Sequence, residues 1–204
     1  MIKLHRFALS GHAHRAELFL SLLGLDYSLV DVDLKNGEQK TDKFLKMNPF
    51  GQVPVLDDNG VIISDSNAIL IYLAKKYDDG HWLPEDPLAS AKTQQWLSIA
   101  AGPISSGPAT ARLITLFGAN YNADEVIQRS NELLTVIDSE LNGNSFLLGD
   151  GPTIADVAAY SYIAHAPEGN VSLAPHKNIL SWLKRVESLK GFIAMQSSKV
   201  GLAA

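Results

Sequence analysis

Proline 54, at the head of the apolar run Val53-Pro54-Val55-Leu56, restricts the folds open to this chain more than any other residue. Proline has no N–H to give to a sheet ladder, so it belongs at the first residue of a strand or on a sheet edge. An X-Pro bond at such a bend can be cis, which turns the backbone groups of the preceding residue outward. The run leads into Asp57-Asp58-Asn59-Gly60 and then Val61-Ile62-Ile63, and Asn-Gly between two such runs is a strong hairpin signal. Ser64, Asp65 and Ser66 follow at the start of a helix, where unpaired N–H groups favour an anion. An exposed backbone edge beside that helix terminus suits an extended peptide that carries a carboxylate.

The segments around this one alternate in period. Ile2 to Phe7 and Tyr27 to Leu34 read as strands. The stretch from His12 to Leu23, with Gly24 behind it, reads as a helix with its C-terminal cap. A short helix is expected over Thr41 to Met47, and Ala68, Ile69, Ile71, Tyr72 and Leu73 make the apolar face of another. The order β-α-β-α-β-β-α matches a thioredoxin-like domain over 1–78, and a right-handed crossover makes its first two strands parallel. Residues 79–87 are turn-rich and read as a linker. From 88 to 204 every long segment has helical period, so the fold class is α/β plus all-α, with a C-terminal helical bundle. Leu88–Leu97 and Ala109–Phe117 read as one long helix broken near Gly102-Pro103 and Gly107-Pro108. Asp124–Leu141, Ile154–Ile163, Ile179–Val186 and a turn near Phe192 complete the bundle. Thr153 and Asp156 are spaced as a structural capping pair.

Composition removes several classes. The chain has no cysteine, so it cannot supply a thiol, a disulfide or a thiolate metal site. A net charge of −5 argues against general nucleic-acid binding and against a basic membrane patch. No run approaches a membrane span, and the amino terminus lacks the apolar stretch of a signal peptide, so a cytoplasmic protein is expected. His165 and His176 lie on different elements without ligand-like spacing, and no metal is expected.

The residues Gln52-Val53-Pro54 and Asp65-Ser66, followed by Ala68-Ile69 and Tyr72-Leu73, resemble the glutathione-binding half of the cytosolic glutathione transferases. The later segments extend the resemblance over essentially the whole chain. It implies that glutathione is the co-substrate and that the proline loop pairs through backbone with its cysteinyl unit. It also implies that Asp65 and Ser66 hold the γ-glutamyl end, that Lys40 reaches the glycine carboxylate, and that the chain forms a homodimer. Gln39 competes with Lys40 for that role. The alternative is a non-catalytic adaptor that keeps the fold.

Conjugation requires the sulfur as thiolate. A thiol titrating near about 8.5 is only roughly 7% ionised near pH 7.4, and lowering its pKa by about two units makes most of it thiolate. A hydroxyl donor and a helix amino terminus both stabilise that anion. Between the first strand and first helix stand Ser10-Gly11-His12-Ala13-His14-Arg15. Similarity to the nu-class bacterial and serine-type enzymes places Ser10 as thiolate donor, with His12 where nu-class proteins carry asparagine. Arg15 is expected in a fixed hydrogen-bonded pair near the domain junction. Ile99, Pro103, Ser106 and Arg112 are the candidates for a cleft that takes a small, mostly apolar electrophile. Peroxide reduction would use the same thiolate on a different acceptor.

Overall fold

The computed structural model describes residues 1–204. Its amino-terminal half is a four-stranded sheet formed by β1 (Ile2–Arg6), β2 (Tyr27–Asp31), β3 (Val55–Asp58) and β4 (Val61–Ser64), in the order β2-β1-β3-β4. β1 runs parallel to β2, with Ile2 opposite Tyr27, and antiparallel to β3, with Leu4 opposite Leu56. β3 is therefore interior. Pro54 stands just ahead of its first residue, the one position in an interior strand where the missing N–H costs nothing. The hairpin to β4 turns on Asn59 and Gly60, both at positive φ, as a tight two-residue turn requires.

Two expected elements are shorter than the pattern suggested. β2 stops at Asp31, because Val32 still donates to Arg6 but Leu34 then bonds back to Val32 and bends the chain out of the sheet. The second helix, α2, covers Asp42–Leu45, with Thr41 as its cap. The strands alternate between faces. Leu4 and Leu56 join the main core under α1 (Gly11–Leu22) and α3 (Ser66–Tyr77). Val55 points the other way, onto Phe44 of α2 and Val32.

The second half is helical: α4 (Pro87–Ala101), α5 (Thr110–Phe117), α6 (Ala123–Glu140), α7 (Ile154–Ala164) and α8 (Lys177–Glu187). Asp86 and Asn122 cap α4 and α6. The chain breaks at Gly102, but at Gly107-Pro108 it does not; it widens into a π-helical turn over Ser105–Ala109. Pro108 has no N–H for the carbonyl four residues back, and Thr110 Oγ1 donates to the Ser105 carbonyl at 2.9 Å. Gly107 permits the close approach of Ser130 from α6.

α7 is buried almost throughout and is the axis of the bundle. Its capping box is formed, and Asp156 also accepts from Leu147 N–H at 2.9 Å and Trp182 Nε1 at 2.8 Å, so this carboxylate ties three segments together. α7 packs on both α1 and α4, and one apolar core runs from Leu4 and Phe19 through Leu97 to Ile163 and Trp182. After the turn at Phe192 the tail lies back across α1: Ser21 donates to the Gly191 carbonyl at 2.6 Å, and His14 Nε2 lies 3.0 Å from the Ile193 carbonyl.

Candidate active site

A cavity of about 650 Å³ opens where the sheet domain meets the helical domain. Ser10 reaches it as the N-cap of α1, with extended backbone and its Oγ accepting from Ala13 N–H at 3.3 Å. That bond uses a lone pair and leaves the serine proton free to be donated. Gly11 follows because nothing larger fits: a Cβ there would stand 2.7 Å from the ring of Tyr162. His12 Nδ1 lies 3.3 Å from Ser66 Oγ, and its ring meets Tyr162 edge-on at 5.0 Å. Burial first, and the Arg15 charge second, push the His12 pKa down to about 3, so the imidazole is neutral at working pH.

The facing wall is the loop ahead of β3. Buried Asn48 holds it, donating to the Gln52 carbonyl at 2.7 Å and accepting from Phe50 N–H at 3.1 Å. The Val53–Pro54 peptide is cis, and Val53 gives its backbone groups to no hydrogen bond of the chain. Gln52, Val53 and Pro54 all line the cavity.

Asp65 and Ser66 close the site at the amino terminus of α3. Asp65 caps the helix through Ala68 N–H at 2.9 Å while holding φ 75 and ψ 125. A non-glycine residue in that region costs about 1–3 kcal/mol and persists only where its surroundings enforce it. Ser66 is held from behind by the fully buried Arg15, whose Nη1 donates to Ser66 Oγ at 2.9 Å and to Asn67 Oδ1 at 2.7 Å. Asn67 passes the contact on to the Leu97 carbonyl of α4 at 2.8 Å. Burial draws the Arg15 pKa down to about 10, still well above neutral, so a cation is fixed beneath the α3 terminus.

Other expected residues lie elsewhere. Lys40 does not line the cavity; its Nζ donates to the Phe50 carbonyl at 3.1 Å and props the loop from outside. Gln39 lines the cavity instead, with a buried Oε1 that has no partner in the chain. Pro103 and Ser106 line a second cavity of about 740 Å³, which shares Ser105, Thr110 and Tyr121 with the first. Ile99 packs against the core. Arg112 is buried and lines neither cavity: its Nε donates to Glu168 Oε2 and its Nη1 to the Leu9 carbonyl, each at 2.6 Å. The reason is helical phase. The π turn rotates α5, bringing Ala109, Thr110 and Leu113 to the cleft and sending Arg112 inward. Sequence reasoning also missed Tyr162, which arrives from the other domain and carries no local signal.

A thioredoxin-like sheet whose proline loop and acid-capped helix face an all-helical domain across a cleft defines a class of two-domain proteins. Residues 2–75 match the family model for the glutathione S-transferase N-terminal domain, and residues 109–190 match that for the C-terminal domain. Glutathione S-transferase 3 of Zea mays is 30% identical, over 94% of this chain and 91% of its own. A zeta-class glutathione S-transferase of Euphorbia esula is 35% identical, over 76% and 72%. The crystal structure of a glutathione S-transferase from Pseudomonas fluorescens superposes with a TM-score of 0.90 at 31% identity, covering 96% of this chain and 99% of that one. The chain belongs to the glutathione S-transferase family and is a transferase that uses glutathione. No helix is long and apolar enough to cross a membrane.

Proposed function

We propose that this enzyme joins glutathione to small, largely apolar electrophiles, with Ser10 as the donor that stabilises the thiolate. One observation carries the reading: Ser10, the Gln52–Pro54 loop and the Asp65-Ser66 pair come from three separate stretches and line a single cavity. The Asp65 carboxylate suits the α-amino group of the γ-glutamyl unit. The Ser66 hydroxyl, the α3 N–H groups and the Arg15 charge beneath them suit its carboxylate. The free Val53 backbone suits the cysteinyl amide, and Gln39, rather than Lys40, suits the glycine end. Sulfur then falls beside Ser10 and the amino terminus of α1.

The thiol proton leaves to solvent, the thiolate attacks the electrophilic carbon, a C–S bond forms, and the leaving group departs with its bonding pair. The shared wall of Ser105, Thr110 and Tyr121 lets an acceptor extend from the first cavity into the second. Holding both substrates together supplies much of the rate through proximity. His12, neutral and partnered by Ser66, orients that hydroxyl and takes no proton from sulfur. A cytoplasmic homodimer is part of the same reading.

The test is calorimetry of glutathione binding, together with the ultraviolet absorbance of the bound thiolate in wild type and Ser10→Ala. Binding should be retained in the variant, and the thiolate signal at neutral pH should largely vanish. A variant that keeps the signal removes Ser10 from the role; a wild type that binds no glutathione removes the whole reading. Conjugation of a chloronitrobenzene, assayed beside reduction of an organic hydroperoxide, separates the two acceptor chemistries.

A further inference from the structure

Arg112 of α5 lines neither cavity, yet it reaches the residue next to Ser10. Its Nη1 donates to the Leu9 carbonyl at 2.6 Å, and no other group of the chain donates to that oxygen. The carbonyl shares one planar peptide unit with the Ser10 N–H, which donates to the Phe7 carbonyl at 2.9 Å. A bond at each end therefore fixes the plane from which Ser10 hangs. The Phe7 bond is local to the turn before α1; the Arg112 bond crosses from the helical domain. Arg112 is itself set from behind. Its Nε donates to Glu168 Oε2 at 2.6 Å, and both side chains are almost fully buried. Glu168 belongs to the short helical turn Ala166–Gly169, and its Oε1 accepts from Ser198 N–H at 2.9 Å and lies 2.7 Å from His165 Nδ1. Gly169 lets that turn lie against α5, since a Cβ there would stand 2.6 Å from the Arg112 backbone nitrogen. Burial raises the Glu168 pKa, but the bonds from His165, Ser198 and Arg112 outweigh it, so the carboxylate is ionised at working pH.

A buried ion pair is a costly way to fill space, because both charges give up their water. Here Arg112 Nη2 is also left buried without a partner. An apolar pair would fill the same volume at lower cost, so packing does not account for the arginine. What it adds is direction. The planar guanidinium presents Nε to Glu168 and Nη1 to Leu9 at once, from different atoms of one rigid group. We propose that Arg112 is a positioning residue for the reaction: through the Leu9 carbonyl it holds the Ser10 hydroxyl where the glutathione sulfur meets it. Glu168 fixes the orientation of that guanidinium. The inference rests on the reading of Ser10 as thiolate donor given above. Rotating the Leu9–Ser10 plane leaves the Gln52–Pro54 loop and the Asp65-Ser66 pair where they are, so the peptide still binds. Its sulfur then meets a misaligned donor, and a hydrogen bond weakens steeply with angle.

Arg112→Lys keeps a cation beside Glu168 but offers one nitrogen where the guanidinium serves two acceptors from different atoms. The experiment titrates the ultraviolet absorbance of bound glutathione thiolate against pH in wild type, Arg112→Lys, Ser10→Ala and the double variant. Arg112→Lys is expected to raise the apparent pKa of the bound thiol by about one pH unit, part of the worth of a hydrogen bond to a charged group. Its kcat should fall at neutral pH and recover at alkaline pH, while the Kd for glutathione stays within about two-fold, as expected when the thiolate donor moves and the peptide site does not. The double variant should titrate like Ser10→Ala alone. An unmoved titration in Arg112→Lys overturns the inference, even if the variant is less stable to urea, since a purely structural brace would lower stability without moving the thiol. The same shift in the Ser10→Ala background also overturns it, by assigning the effect to the Arg112 charge. A failure of the Ser10 reading shows separately, as a Ser10→Ala titration that matches wild type, and it removes this inference as well. Should Arg112→Lys not fold, the paired variant Arg112→Met with Glu168→Gln removes both charges and leaves neither buried alone. The same rise in thiol pKa is expected of it, absent in the Ser10→Ala background, and an unmoved titration would overturn the proposal.

Discussion

Acidification should loosen the junction between the two domains through His14. This imidazole is buried on α1, with Nε2 3.0 Å from the Ile193 carbonyl of the carboxy-terminal tail and Nδ1 2.8 Å from Ser161 Oγ on α7. A carbonyl only accepts, so Nε2 carries the proton; Nδ1 is then the acceptor and Ser161 donates to it. Both ring nitrogens are satisfied in the neutral form. A second proton on Nδ1 would face the Ser161 hydroxyl head-on and place a charge in the core. Burial is the main reason the pKa falls from 6.5 to about 4, with the Ile193 bond working against it. Because the folded value lies below the unfolded one, the stabilisation is complete above about pH 6.5 and is lost as pH falls toward about 4. At about pH 5 most unfolded imidazole is protonated and most native imidazole is not, which amounts to about 2 kcal/mol. The assay is urea unfolding at fixed protein concentration, from about pH 7.5 down to about pH 5, for wild type and His14→Gln. Glutamine can keep a donor toward Ile193 and an acceptor toward Ser161 without titrating. Wild type should lose about 2 kcal/mol more than the variant across that range. Parallel curves would show that His14 does not remain neutral in the native protein, and the argument from its two partners would fail.

Two further outcomes test the frame around the site. Asp58 is buried at the end of β3 and accepts from Tyr77 and Tyr72 at 2.7 and 2.8 Å, from Asn59 at 2.9 Å, and from Lys76. Burial alone would raise its pKa, but these four donors outweigh burial and hold it well below the carboxylate range. Asp58→Ala should therefore cost about 3 kcal/mol in urea unfolding at neutral pH, with the deficit shrinking only in strong acid, as expected for a buried acceptor removed from its donors. Arg15→Lys keeps a charge but loses the rigid guanidinium that aims Nη1 at Ser66 and Asn67 together; calorimetry should show glutathione binding about ten-fold weaker. Equal affinity would mean that the α3 terminus holds its shape without Arg15.

The elements that the sequence made legible are those governed by local rules. Pro54 could sit only at a strand's start or edge, Asn59-Gly60 could only turn, and Thr153 with Asp156 had the spacing of a cap. Each depends on groups a few residues apart. That Ser10, Gln52, Val53, Asp65 and Ser66 stand at helix caps and turns was likewise visible, and all of them line the one cavity. Which of Gln39 and Lys40 faces the cavity was not legible, since neighbours in an irregular loop differ only in which way the loop faces. Arg112 was misplaced because the π turn at Pro108 changed the phase of the helix that carries it.

Read alone, then, the sequence determined a proline-led strand, a helix terminus with unpaired N–H groups and a chain with no thiol of its own. Those conclusions follow from missing N–H groups, unpaired helix donors and an absent residue type, which hold in any tertiary setting. Folding in three dimensions decided what stands opposite them. It placed Tyr162 from α7 against Gly11, put Arg15 beneath Ser66, and led Arg112 to the Leu9 carbonyl just before Ser10. Such meetings join residues far apart in sequence, and only the packing of α1 between the sheet and α7 brings them within a few ångströms.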